Sequence, residues 1–376
     1  MIKKLIENPF SVNVYQGSDY FCDRESETNR LLSDIRNGSS VTLFSIRRIG
    51  KTGLLHHLLN QLPVGWKGIY IDILATENLN QFLNLLATAI IKSVPEKSPF
   101  GKRIWTFIKS LRPMISFDNL TGEPQASFDI KRKDVELNIN SVLQFLEQQD
   151  LRILIVIDEF QQIVHYPEQN TDAWLRTIIQ KLSNITFIFS GSQQHLMLEL
   201  FTAPQRPFYR STQLLKLEKL DKVVYCDFII LMFQKYNKEI SSSQVMNILE
   251  WTDNHTYYVQ LICNRVFSAT KKKVTDELWR HQANQLLQEQ ESIFFYYRNM
   301  LTTPQWQLLK AIAQYGLVYM PTSKEFLTKN QLGTSATVIR SLKSLVEYEL
   351  VYSDFNSKGE KFYSVYDVFF HRWCKG

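Results

Sequence analysis

Ser45-Ile46-Arg47-Arg48-Ile49-Gly50-Lys51-Thr52 is the stretch that decides the fold of this chain. An apolar run of strand length, VTLFSI (41–46), leads into it, and TGLLHHLLNQL, with helical spacing, follows. A strand, a turn ending in Gly-Lys-Thr and then a helix form the context of the phosphate-binding pattern GxxxxGK[ST]. Gly50 lets the backbone wrap close to an anion, and the amides that open the next helix point at that anion. Arg48, Ile49, Gly50, Lys51, Thr52 and Gly53 are the expected cradle for a bound nucleotide. Lys51 is placed to reach the β- and γ-phosphates, and the Thr52 hydroxyl to ligate Mg2+. Ser45 stands where the pattern takes glycine; a small residue still makes the turn, at some conformational cost.

Working outward, ILIVIDEF (153–160) is a second apolar strand, and it ends on Asp158-Glu159. Carboxylates at the C-terminal edge of a buried strand suit two tasks: Asp158 holding the Mg2+ shell, and Glu159 orienting or deprotonating the attacking water. An acidic turn that merely closes a strand is the plainer alternative, but the order of the pieces disfavours it. GIYIDI (68–73) and NITFIFSGS (184–192) supply two further strands, and the helical pattern NLNQFLNLLATAIIKSV lies between them. Four strands alternating with helices predict an α/β fold, a parallel sheet covered by helices on both faces. The last strand ends in Ser190-Gly191-Ser192, where a hydroxyl is either a γ-phosphate sensor or part of an ordinary turn.

The rest of the chain divides by pattern. Residues 1–216 are expected to form the nucleotide-binding domain, with a β-hairpin insertion near 112–132 centred on Thr-Gly-Glu-Pro. The basic, aromatic stretch GKRIWTFIKSLRP before the hairpin reads as an amphipathic helix sooner than as a nucleic-acid patch. Residues 217–301 are almost wholly helical, with about four helices, and form an expected lid domain. Residues 302–376 give three short helices and then strand-turn-strand, which is the order of a winged helix. Arg340 and Lys343 fall on its expected recognition helix and Lys358 and Lys361 on the wing, while Glu347 and Glu349 would repel phosphate.

Composition sets the outer bounds. The chain has 376 residues, 44% hydrophobic and 21% charged, with a net charge of +6. A charge this mild permits nucleic-acid contact without arguing for it. No run approaches the length of a membrane span, and the basic N-terminus is interrupted too early for a secretory signal. The four cysteines are scattered, without a metal or redox spacing. A cytoplasmic protein is expected, with no membrane partner.

With these residues in hand, the chain resembles the archaeal-type ATPases of the STAND class of P-loop NTPases over essentially its whole length. The resemblance is carried by Asn8-Pro9-Phe10, by Phe21-Cys22-Asp23-Arg24-Glu25, and by Arg47-Arg48-x-Gly50-Lys51-Thr52. It continues through Asp158-Glu159, Ser190-Gly191-Ser192, Phe208-Tyr209-Arg210 and Asp253-Asn254-His255-Thr256-Tyr257-Tyr258. Asp23, Asn254 and Thr256 replace residues usual in the family. The resemblance implies an ATP-binding, Mg2+-dependent, slow ATPase that acts as a conformational switch. Phe21 and Arg24 would then lie near the base, Ser190 near the γ-phosphate, and His255 against the nucleotide or capping its helix. Arg210 would supply charge to the γ-phosphate, in cis or across a subunit interface, unless it is a plain surface arginine. Arg47 and Arg48 would gate phosphate access, contact a partner or lie solvated. Self-association, a protein partner and DNA all remain open. A nucleotide-gated DNA-binding regulator, or a mobile-element accessory protein with little hydrolysis, is the alternative function. An AAA+ loader is a third, for which Arg265 is the lid arginine available.

Overall fold

The four apolar runs become strands of a single parallel sheet, and a fifth strand joins them at one edge. The computed structural model describes residues 6–12, 15–94, 96–129 and 132–375. Its residues group into two compact units: one is Arg24–Ser45 with Gly50–Glu218, the other Met1–Asp23 with Ile46–Ile49 and Lys219–Gly376.

The sheet unit runs α1 (Glu25–Arg36), β1 (Val41–Phe44), α2 (Lys51–Leu59), β2 (Trp66–Asp72), α3 (Leu79–Ser93) and α4 (Pro99–Ser110). It continues through β3 (Met114–Phe117), β4 (Pro124–Ser127), α5 (Arg132–Glu147), β5 (Arg152–Asp158), α6 (Thr171–Ile179), β6 (Ile185–Gly191), α7 (Gln194–Thr202) and β7 (Gln213–Lys216). The order across the sheet is β2-β5-β6-β1-β7, so β5 and β6 are central. Both are buried along nearly their whole length, as strands covered on two faces must be. β3 and β4 pair as an antiparallel hairpin. α3 starts where the Asn78 side chain accepts from the Gln81 amide, and α4 starts at Ser98 with Pro99 behind it. The strand β7 escaped the sequence reading: at four residues, largely exposed at a sheet edge, it has no hydrophobic period to betray it.

The helical unit holds α8 (Lys222–Lys235), α9 (Ser242–Trp251), α10 (Thr256–Ala269) and α11 (Asp276–Met300). After them come α12 (Thr303–Tyr315), α13 (Lys324–Asn330), α14 (Ser335–Glu347), β8 (Val351–Phe355), β9 (Lys361–Val365) and α15 (Val368–Lys375). Asp221 caps α8 and a Ser241–Gln244 capping box opens α9. β8 and β9 pair antiparallel to form the wing, and Val318 bridges to Tyr363 beside it. α15, at eight residues, is too short for a helical period to show in the sequence. Its eight residues bury Phe369 and Phe370 against the helices, with Phe370 packed near Phe294 and Trp306.

Among the described residues no helix is long and apolar enough to cross a membrane, and no three His, Cys, Asp or Glu side chains gather as a metal site.

Candidate functional site

The loop after β1 begins at Ser45, which is fully buried, and ends at Gly50, whose φ of 105° lies in the left-handed region. Glycine adopts that conformation without a Cβ penalty, and Lys51 then opens α2. The Lys51 ammonium donates to the Ser45 hydroxyl at 3.2 Å. The serine that departs from the pattern thus gives the lysine an anchor that glycine has no side chain to offer.

Beside it, the Asp158 carboxylate is built into a network. Its Oδ2 accepts from the Thr52 hydroxyl and from the Tyr70 hydroxyl, each at 2.9 Å, and its Oδ1 accepts from the Glu159 amide at 3.1 Å. Asp72 sits in register with Asp158 on the neighbouring strand. Burial raises the Asp72 carboxyl above the usual range, and the charges of Asp158 and Glu159 add to that against the Leu74 amide. Burial and then Asp158 push the Tyr70 hydroxyl far upward, so it stays a donor. Carboxylate and hydroxyl oxygens brought together in this way fit a hard divalent cation such as Mg2+. The fully buried Ser190 hydroxyl, at the end of β6, has no partner among the described residues, which also suits a polar ligand at the strand ends.

Glu159 begins a 3-10 turn, Phe160–His165, with φ at 55°. Its Oε2 accepts from Gln161 Nε2 at 2.5 Å and from the Ser192 hydroxyl at 2.8 Å. Neither Tyr70 nor Gln161 was singled out from the sequence. Tyr70 carries a weak signal, since it lies on a strand two residues before an aspartate; Gln161 carries none.

The segment Ile46–Ile49 lies with the helical unit. There the Arg47 carbonyl accepts from His255 Nε2 at 3.0 Å, and the Arg47 guanidinium pairs with the Glu349 carboxylate. Arg48 takes a φ of 60° and stacks its guanidinium over the Tyr257 ring at 4.3 Å. Tyr258 donates to Asp367 at 3.0 Å. His255 occupies the N-cap position of α10 but makes no side-chain capping bond, so its role there is the contact with the Arg47 carbonyl.

Burial lowers the His255 pKa to about 4, and the Lys219 ammonium adds to the effect against the Arg47 carbonyl. A folded-state value below the unfolded one means that the unfolded chain takes up the proton first as pH falls. The full stability is therefore present above about pH 6.5 and is lost between there and about pH 4, on the order of 3 kcal/mol. Urea unfolding of the chain and of His255→Gln at pH 7 and pH 5 checks this. The wild type is expected to lose more between the two than the variant; equal losses would remove His255 as the cause.

The remaining candidates lie as follows. Arg24, buried, donates to Glu27 at 2.6 Å and to the Glu218 carbonyl at 2.7 Å. Phe21 packs edge-on against Tyr15. Arg210 is exposed, in a left-handed turn between α7 and β7, with its guanidinium 5.2 Å from the Tyr209 ring. Arg265 pairs with Glu289 at 2.6 Å. Ile49 is buried, and Gly53 lies in the first turn of α2.

A five-stranded parallel sheet with a glycine-lysine-threonine turn at a strand end is the P-loop NTPase fold, and a winged helix follows it. The chain belongs to the family described as "ATPase domain predominantly from Archaea", which matches residues 21–262. Residues 292–376 match "Probable winged helix domain". Among solved structures it is similar to the Walker-type ATPase PABY2304 of Pyrococcus abyssi, with 18% identity, 98% of this chain and 100% of that chain covered, and a TM-score of 0.67. It is also similar to the Aeropyrum pernix ORC2 protein in ADPNP-ADP complexes, with 13% identity, coverage of 98% and 95%, and a TM-score of 0.58. The Aeropyrum pernix ORC1 protein in complex with DNA is a further neighbour, with 14% identity, coverage of 98% and 96%, and a TM-score of 0.54. No curated protein matches the chain.

Proposed function

We propose that this chain binds ATP with Mg2+, hydrolyses it slowly and uses the nucleotide state as a conformational switch of the STAND type. The observation that carries the reading is that Ile46–Ile49, the middle of the phosphate loop, groups with the helices and winged helix. His255 and Glu349 both hold Arg47 there. A change at the phosphates moves the loop, and Arg47 hands that movement to α10 and to Glu349, two residues beyond α14.

In this reading Lys51 and the amides of Arg48–Gly53 bind the phosphates, and Thr52 and Asp158 hold the cation. Bound Mg2+ neutralises phosphate charge that builds up during transfer. Glu159 orients the water, Ser190 senses the γ-phosphate, and Arg210 adds charge in cis or from another copy. Phe21 and Arg24 lie toward the base. The division into 1–216, 217–301 and 302–376 as ATPase, lid and winged-helix domains belongs to the same proposal, as does a cytoplasmic setting.

Purified protein is expected to release phosphate from ATP slowly and only with Mg2+, and Glu159→Gln to bind ATP but turn it over more than about 100-fold more slowly. Turnover that survives in Glu159→Gln would refute the assignment. Binding without any turnover would favour the second reading, a nucleotide-gated DNA binder. Exposed Arg340, Lys343, Lys358 and Lys361 support that reading, although Glu347 lies 3.9 Å from Lys343. Salt-dependent retention of duplex DNA is then the property to measure.

A further inference from the structure

We propose that Gln161 is a positioning residue for hydrolysis: together with Ser192 it fixes the Glu159 carboxylate by one oxygen and leaves the other to face water. The proposal rests on Glu159 being the water-orienting carboxylate.

Gln161 is buried, at 3% exposure. Its Nε2 donates to Glu159 Oε2, and its own Oε1 has no partner among the described residues. The chemistry fixes which end faces the carboxylate, because an amide oxygen there would meet another acceptor. A buried amide with one orphaned oxygen is unfavourable for stability; leucine would fill the same volume without leaving that acceptor unsatisfied. The one contact that explains a glutamine here is the bond to Glu159.

Two further residues agree. Ser192, also buried, donates its hydroxyl to the same Oε2. Gly191 makes room for the amide: a Cβ there would lie 2.3 Å from Gln161 Oε1 and 2.5 Å from Met197 Sδ. The Ser190-Gly191-Ser192 end of β6 is thus shaped around Gln161. Glu159 itself is held in a left-handed conformation that favours glycine, and three donors on Oε2, the Gln161 amide with the Ser192 hydroxyl and the Ser192 backbone amide at 3.4 Å, tie its side chain to that turn. Oriented in this way, the carboxylate reaches its task without first losing rotamer freedom.

Two variants test the assignment: Gln161→Leu and Gly191→Ala. Each is compared with wild type for kcat, for equilibrium affinity toward a non-hydrolysable ATP analogue with Mg2+, and for the position of Glu159 in a crystal structure without nucleotide. Gln161→Leu is expected to lower kcat by tens of fold, up to about 100-fold, with affinity within about twofold and the carboxylate displaced from Ser192. Gly191→Ala should do the same by pushing the Gln161 amide aside, and it covers the case in which the leucine variant fails to fold. Unchanged or raised kcat in both, or a carboxylate that stays on Ser192 without Gln161, would overturn the positioning role. Parallel loss of affinity and kcat would make Gln161 a structural residue and overturn it as well. If Glu159→Gln turns over like wild type, or wild type does not turn over at all, it is the underlying reading of Glu159 that fails.

Discussion

Lys51→Ala is expected to cut by about half or more the stabilisation that ATP gives the chain against heat, while leaving the nucleotide-free protein folded. Ligand at one hundred times its Kd stabilises a folded protein by about 2.7 kcal/mol. A hydrogen bond to a charged group contributes about 1.5–3 kcal/mol, and each 1.4 kcal/mol is a tenfold change in affinity. Losing the ammonium therefore weakens binding by roughly 10- to 100-fold, and at the same ATP concentration the stabilisation falls below about 1.5 kcal/mol. The fold does not need the charge: Lys51 is the first residue of α2, and the burial of Leu54, Leu55 and Leu58 holds that helix in place. Thermal unfolding with and without Mg2+ and ATP measures both halves. A variant that ATP still stabilises as it does the wild type would show that the loop is not the nucleotide site.

The signals of this site differ in range. Gly50-Lys51-Thr52 is local: a strand, a turn and a helix carry their chemistry within a dozen residues, so the sequence displays them together. Asp158-Glu159 was legible for the same reason, at the end of an apolar run that β5 buries. What holds these groups was not legible. Tyr70 meets Asp158 because β2 lies against β5 in register, and nothing in either segment states that pairing. Gln161 meets Glu159 because the chain turns left-handed at Glu159, a conformation no residue type there announces. In the sequence Glu349 is only a charge that repels phosphate; its ion pair with Arg47 spans most of the chain. The strand β7 and the helix α15 were missed on length, too short for a period to stand out.

The second large effect is expected one residue beyond the site. Phe160→Ala should cost about 3–5 kcal/mol of stability, the usual range for removing a fully buried ring. Phe160 is 0% exposed, and its ring centroid lies 4.5 Å from Phe189, 5.5 Å from Phe208 and 5.7 Å from Phe201. Those rings come from β6, from α7 and from the turn before β7, so the cavity opens where three segments meet and none can collapse alone. Phe160→Leu keeps most of the volume and should cost about half as much or less. The ring also sets the turn that aims Glu159, since the two are consecutive and the 3-10 segment begins at Phe160. Urea unfolding followed by far-UV circular dichroism gives the stability of each variant, and ATP turnover well below the unfolding midpoint gives the aim of the carboxylate. An alanine variant as stable as wild type would mean that the aromatic cluster does not anchor the C-terminal ends of β5 and β6. One that is destabilised but turns ATP over normally while folded would separate the core from the site, leaving Gln161 and Ser192 alone to hold Glu159.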